Sequence, residues 1–144
     1  MRPAALFLLL SAISFAAQPT EEEIKKELKL FQGKWIATFI QPVGGKPYSE
    51  EMVKETFLEV NGDKFILTQQ GQATLETRFK VDPTKKIKTI DIYDSNDSSN
   101  LLVKGIYEIK GDTRRSCFAE PGKDRPEAFT KDKDYLILEW KKAK

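Results

Sequence analysis

Gly105–Phe129, GIYEIKGDTRRSCFAEPGKDRPEAF, is the stretch from which the fold can be read. Two segments of strand character, Leu101–Ile109 and Thr113–Ala119, flank Lys110-Gly111-Asp112, the composition of a β-hairpin with a glycine turn. A two-residue turn at Gly111-Asp112 sets Lys110 opposite Thr113, Ile109 opposite Arg114, Tyr107 opposite Ser116 and Gly105 opposite Phe118. Directly opposed residues share a face of the sheet, so Arg114 and Ser116 lie with Ile109, Tyr107 and Phe118. If this largely apolar face points inward, Arg114 enters the core and needs an aromatic ring or a carboxylate beside it. The alternative is a bulge at the turn, which reverses the faces and leaves Arg114 in water. The first register turns Cys117 outward, where its thiol should label promptly. A lone strand cysteine is ordinarily a small packing residue, and Arg114 or Arg115 would have to lower its pKa to make it reactive.

Strand signals continue in both directions from the hairpin. Downstream, Leu136, Leu138 and Trp140 share one face of Asp134–Lys141. Upstream come Lys34–Gln41, Glu55–Val60 and Lys64–Gln69, the last two joined at Asn61-Gly62. Gln72–Val81 alternates cleanly, with Ala73, Leu75, Thr77, Phe79 and Val81 on one face and Thr74, Glu76, Arg78 and Lys80 on the other. Asp82-Pro83-Thr84-Lys85 turns the chain into Lys86–Tyr93. Eight consecutive strands with mostly short turns predict an all-β fold, an eight-stranded antiparallel up-and-down barrel. One short N-terminal helix precedes it over Thr20–Gln32, with Thr20 as cap, Glu23 three residues on, and Ile24, Leu28 and Phe31 on one face.

In such a meander the tight turns gather at one end. The long connections, Pro42–Val53, Asp94–Asn100 and Glu120–Lys133, gather at the other. Long loops on a rigid barrel are the usual place for recognition, so Tyr48, Asp124, Arg125 and Phe129 are expected at the mouth. A second reading has Arg125-Pro126 shaping its loop and Phe129 packing beneath it.

The chain begins MRPAALFLLLSAISFAA, one positive charge before an apolar run and then small residues. This is the plan of a secretory signal peptide over 1–17, leaving one domain over 18–144 and a secreted or periplasmic location. The apolar run, Ala4–Ile13, is well short of the ~20 residues of a membrane span, so no membrane anchor is expected.

Several function classes fall to composition. The 144 residues carry 24 basic against 22 acidic side chains, spread without a basic stripe, which argues against nucleic acid as a partner. With no histidine, His-based metal sites, Ser-His-Asp triads and Cys-His dyads are excluded. A single cysteine excludes an intramolecular disulfide. The spacing in Asp94–Asn100 lacks the glycine and the distal glutamate of a calcium loop, so no metal or other cofactor is expected. Asp91 and Glu108, on neighbouring strands, are the candidate carboxylate pair for acid–base catalysis, but strand carboxylates more often face water.

The opening stretch also resembles a family of small lipocalin-like domains common in planctomycete-type bacteria, typified by GIYELDGD-T-x-x-x-C…RPxxF. The matching residues are Gly105, Ile106, Tyr107, Glu108, Gly111, Asp112, Thr113, Cys117, Arg125, Pro126 and Phe129. VDPTKKIKTIDI is similar to a second piece of that family, which usually has proline where Ile87 stands. Gly33-Lys34-Trp35, just after the helix, resembles the lipocalin Gly-x-Trp signature, whose tryptophan plugs the closed end of the barrel. The resemblance implies fold but no activity, the family being defined by sequence and structure. This chain departs from it at Arg114 and Ser116, where the family has apolar residues.

These readings converge on a non-enzymatic protein holding a small, partly apolar ligand in the open end of a barrel. The candidate ligand contacts are Tyr48, Tyr107, Arg114, Ser116, Arg125 and Phe129, with Gly33, Trp35, Gly111 and Asp112 structural. An inward Arg114 would make the lumen floor cationic and favour an amphiphile with a negative group. The competing function is a packed barrel without a cavity, acting through its long loops on a protein or envelope partner of unknown identity.

Overall fold

The strands of the computed structural model, which describes residues 18–144, run β1 (Gly33–Gln41), β2 (Thr56–Asn61), β3 (Lys64–Gln69), β4 (Gln72–Asp82), β5 (Thr89–Asp94), β6 (Leu101–Lys110), β7 (Thr113–Ala119) and β8 (Tyr135–Lys142). The signal peptide expected over 1–17 lies outside the described residues. Each strand pairs antiparallel with the next and β8 pairs with β1, which closes an up-and-down barrel. Closure leaves no long sheet edge to be covered.

Glycines make the tight turns. Gly62 (φ 61°) and Gly111 (φ 56°) each occupy the first position of a two-residue hairpin, the position that needs positive φ in a type II′ turn. The first of these turns lies one residue beyond the expected Asn61-Gly62, because Asn61 still pairs with Lys64. In the second, the register pairs Ile109 with Arg114 and Tyr107 with Ser116, without a bulge. Arg114 therefore points inward. β5 begins three residues later than the alternation suggests, after a turn in which Asp82 Oδ1 accepts from the Thr84 amide and hydroxyl.

Helix α1 (Glu21–Phe31) is capped by Thr20, whose Oγ1 accepts from the Glu23 amide at 3.1 Å. Its C-terminal end is tied to the barrel by Gln32, which donates to Gly62 O (3.0 Å) and accepts from Gly62 N (2.8 Å). Phe31, fully buried, enters the closed end against Phe79 (5.2 Å between ring centroids), Tyr107 (4.9 Å) and Phe65 (6.4 Å). Trp35 is fully buried beside it and donates from Nε1 to Phe31 O at 2.7 Å.

Phe39, two residues beyond Ala37 on β1, faces away from the interior. A register shift between Ala37 and Phe39 in the β1–β8 ladder inserts one extra residue and inverts the alternation: Trp35 and Ala37 point in, then Ile40 does. Phe39 is left on the outer wall with Ile106, Cys117 and Ile137.

At the opposite end, the β1–β2 connection carries a second short helix, α2 (Glu50–Lys54), which strand periodicity does not reveal. Five residues are too few to show a helical repeat, although the sequence holds its cap: Ser49 Oγ accepts from Met52 N at 3.4 Å. Val53 of α2 is buried in the core.

Candidate functional site

The barrel interior is not filled. A cavity of about 340 Å³ lies between the closed-end aromatic cluster and the mouth. Its walls are the inward residues of the strands, among them Leu58, Leu67, Ile90, Ile92, Val103 and Leu138, with Phe118 near the top of β7. Alternation places these side chains inside, as it does Thr77 and Leu75 on β4. β4 outruns its neighbour at the mouth: pairing with β5 starts only at Thr77, opposite Asp94, so Gln72–Glu76 have β3 alone beside them. The wall is open there, and Leu75 both lines the cavity and is 54 % exposed.

Arg114 is the only charged side chain among the described residues lining this space. It is 4 % exposed, and its guanidinium carbon sits 4.9 Å from the Trp35 ring centre, 5.2 Å from Phe31, 5.4 Å from Phe65 and 5.8 Å from Trp140. Four rings supply the cation–π attraction that lets an arginine stay inside. Hydrogen bonding is less complete, since Nε, Nη1 and the neighbouring Trp140 Nε1 are buried without partners. Burial pushes the guanidinium down to about 9, which still leaves it cationic at neutral pH. Ser116, two residues along the same face, and Tyr107 are buried and line the cavity, and the partly buried Tyr48 lines it at the mouth.

Beneath the cavity, Glu27 of α1 is buried, and its Oε1 accepts from Tyr107 Oη and from Lys88 Nζ, each at 2.8 Å. Burial, and then the bond to Glu27, raise the Tyr107 phenol far above its usual pKa, so it remains a donor.

Arg125 and Phe129 are on the outer wall rather than the rim, with Phe129 packed beneath its loop as the second reading of this connection has it. The connection from Glu120 to Asp134 folds back over β5–β8, because Ile106, Cys117 and Ile137 present an apolar patch outward and need cover. Phe129 packs on that patch, and Arg115 lies over its ring at 4.0 Å. Arg125 Nη1 donates to Gly105 O (2.8 Å) and Ile90 O (3.4 Å). Both of its hydrogens are thus engaged, and its 2.7 Å approach to Asp91 Oδ1 is a charge contact rather than a third directed bond. Gln41 and Gly44 pin the far end of this strap, donating to Lys131 O (3.1 Å) and Lys133 O (2.7 Å). Asp124 is exposed.

This arrangement accounts for the run from Gly105 to Phe129. Gly105 faces inward where an added Cβ would meet Phe118 Cδ1 at 2.4 Å and the Cys117 carbonyl oxygen at 2.8 Å. Ile106, Cys117, Pro126 and Phe129 belong to the patch and its cover. Asp91 and Glu108 do not pair. Asp91 meets Arg125, whereas Glu108 meets Arg115 at 3.2 Å, whose hydrogen bond holds that carboxyl below its usual pKa. In Asp94–Asn100, Asp94 and Asp97 accept from the amides of Asn96 and Ser99.

Cys117 does point away from the lumen, but the strap covers it to 1 % exposure, so prompt labelling is not to be expected. Burial also raises its thiol pKa. A soluble disulfide reagent should react with the native thiol at least about tenfold more slowly than with the unfolded chain. Arg125→Ala, by freeing the strap, should speed native labelling. Equal rates in the native and unfolded wild-type chain would mean that the strap does not protect this wall.

Sequence reasoning missed Phe31, Leu67 and Trp140 as parts of the site. The first ends the apolar face of the N-terminal helix, and the other two lie on strands whose inward parity was legible. Compared with known proteins, the chain matches no family model, no curated protein and no solved structure.

Proposed function

We propose that this chain is an exported, non-enzymatic binding protein that holds a small, partly apolar ligand in the open end of its barrel. The observation that carries the reading is the cavity of about 340 Å³, apolar-walled and open beside Leu75. Its size falls at the lower end of small-molecule sites, roughly 300–1,000 Å³, and it combines apolar walls with a few polar groups. Tyr48, Tyr107, Arg114 and Ser116 are the polar residues proposed to meet the ligand; Arg125 and Phe129 hold the wall. Export rests on the pattern of residues 1–17, and membership of the lipocalin-like family rests on the Gly105–Phe129 motif. The separate arginine partners of Asp91 and Glu108 favour binding over acid–base catalysis.

The test is titration of the chain without residues 1–17 with a fluorescent apolar probe. Saturable one-to-one uptake, displaced by a small amphiphile, is the expected result. Absence of uptake at any concentration would return the protein to the class of interaction modules acting through loops.

A further inference from the structure

Arg114 has a further consequence for what the cavity accepts. A buried cation is stable only when rings, hydrogen bonds or an anion replace its lost water. Here the four rings are present, but Nε and Nη1 have no hydrogen-bond partner. Among the described residues no carboxylate oxygen lies within 4.0 Å of Arg114 to balance its charge. Glu27, the buried carboxylate beneath the cavity, is engaged by Tyr107 and Lys88. Trp140, opposite Arg114 in the β7–β8 ladder, adds another donor without an acceptor. Arginine and the indole N–H are donors only, so this floor is rich in donors and poor in acceptors.

We infer that the ligand is a single-tailed amphiphile with a monoanionic oxyacid head, carboxylate being the smallest, seated head-down against Arg114. The inference rests on the cavity-binding reading above and adds the ligand's charge and orientation. A carboxylate supplies the missing negative charge and about four acceptor positions. One guanidinium balances one charge, which selects a singly charged head. The rest of the lining is apolar apart from scattered hydroxyls and amides, and suits a tail running from Arg114 past Ser116 and Phe118 toward the opening at Leu75. From Arg114 to Phe118 the strand rises about 13 Å. At the ~30 Å³ that a water-sized group occupies, the cavity takes on the order of a dozen non-hydrogen atoms. Decanoate has this size and chemistry and is a suitable probe.

The experiment compares decanoate, decanol and decyltrimethylammonium on the chain without residues 1–17, in wild type and in Arg114→Leu. Decanoate should bind wild type at least about tenfold more tightly than decanol, the gain of a charge-assisted bond in a dry site, and the cation most weakly. Arg114→Leu should melt at a higher temperature than wild type without ligand and lose the preference for decanoate over decanol. Decanol binding as tightly as decanoate to wild type would overturn the inference while leaving the carrier function intact. A decanoate preference that survives Arg114→Leu and vanishes with added salt would also overturn it, placing the head on exposed lysines such as Lys46 or Lys54. Failure of all three amphiphiles and of the fluorescent probe would remove both readings.

Orientation has a test that needs no variant. The protein's two tryptophans, Trp35 and Trp140, both flank Arg114. Decanoate brominated beside the carboxylate should therefore quench their fluorescence more strongly than decanoate brominated at the tail tip. The reverse order would show the head at the mouth and end the proposal.

Discussion

Trp35→Ala is expected to destabilise the protein by about 3–5 kcal/mol, the range for removing a large, fully buried aromatic side chain. Three separate losses contribute. The indole fills the closed end at 0 % exposure, its N–H fastens β1 to the last residue of α1 through Phe31 O, and its face is the nearest of the four rings around Arg114. Without that face the guanidinium keeps its desolvation cost and loses part of what offsets it. For a domain of this size the melting temperature should fall by on the order of 10–20 °C. Calorimetry on wild type and variant checks this. An unchanged midpoint would mean that Trp35 does not close the barrel. If the Arg114 argument is right, Trp35→Ala combined with Arg114→Leu should cost less than Trp35→Ala alone, because the exposed liability has been removed along with its cover.

Glu27→Ala should cost about 2–3 kcal/mol, a large effect for one residue of a short peripheral helix. Glu27 is the only acceptor that α1 offers to the buried Tyr107 hydroxyl, and leaving that hydroxyl unsatisfied carries a penalty of roughly 1–3 kcal/mol. The contact with Lys88 contributes less, since the Lys88 side chain is 40 % exposed and screened, so ~1 kcal/mol or less is expected from it. Alanine's better helix propensity returns a few tenths of a kcal/mol. Glu27→Gln keeps an acceptor and should recover more than half of the loss. Urea denaturation of both variants separates the terms. Equal destabilisation by alanine and glutamine would assign the effect to the ion pair with Lys88 rather than to the tyrosine bond.

The two sites differ in how they could be read from the chain. Trp35 was legible, because a glycine, a helix end and the start of an alternating strand surround it within a few residues. Glu27 was not. It lies on the α1 face that also carries Ile24, Leu28 and Phe31, where a carboxylate looks solvated until Tyr107, eighty residues away, supplies its hydroxyl. Arg114 stands between these cases. A two-residue turn at Gly111-Asp112 was enough to put it on the face of Tyr107 and Phe118. Only the ring of Phe31, Trp35, Phe65 and Trp140, drawn from α1, β1, β3 and β8, shows how that face tolerates a charge.

By itself the sequence determined the helix cap, the glycine turns, the strand alternation and hence an eight-stranded meander, because each follows from backbone geometry over two to ten neighbouring residues. The tertiary structure alone decided the bulge that sends Phe39 outward, the strap that carries Arg125 and Phe129 away from the mouth, and the cavity left above Arg114. Those outcomes depend on which apolar patch needs cover and on how side chains from strands far apart in sequence fill a shared volume. Gln41 meeting Lys131 across ninety residues is one such contact. No local pattern encodes that distance, and packing resolves it only when the barrel closes.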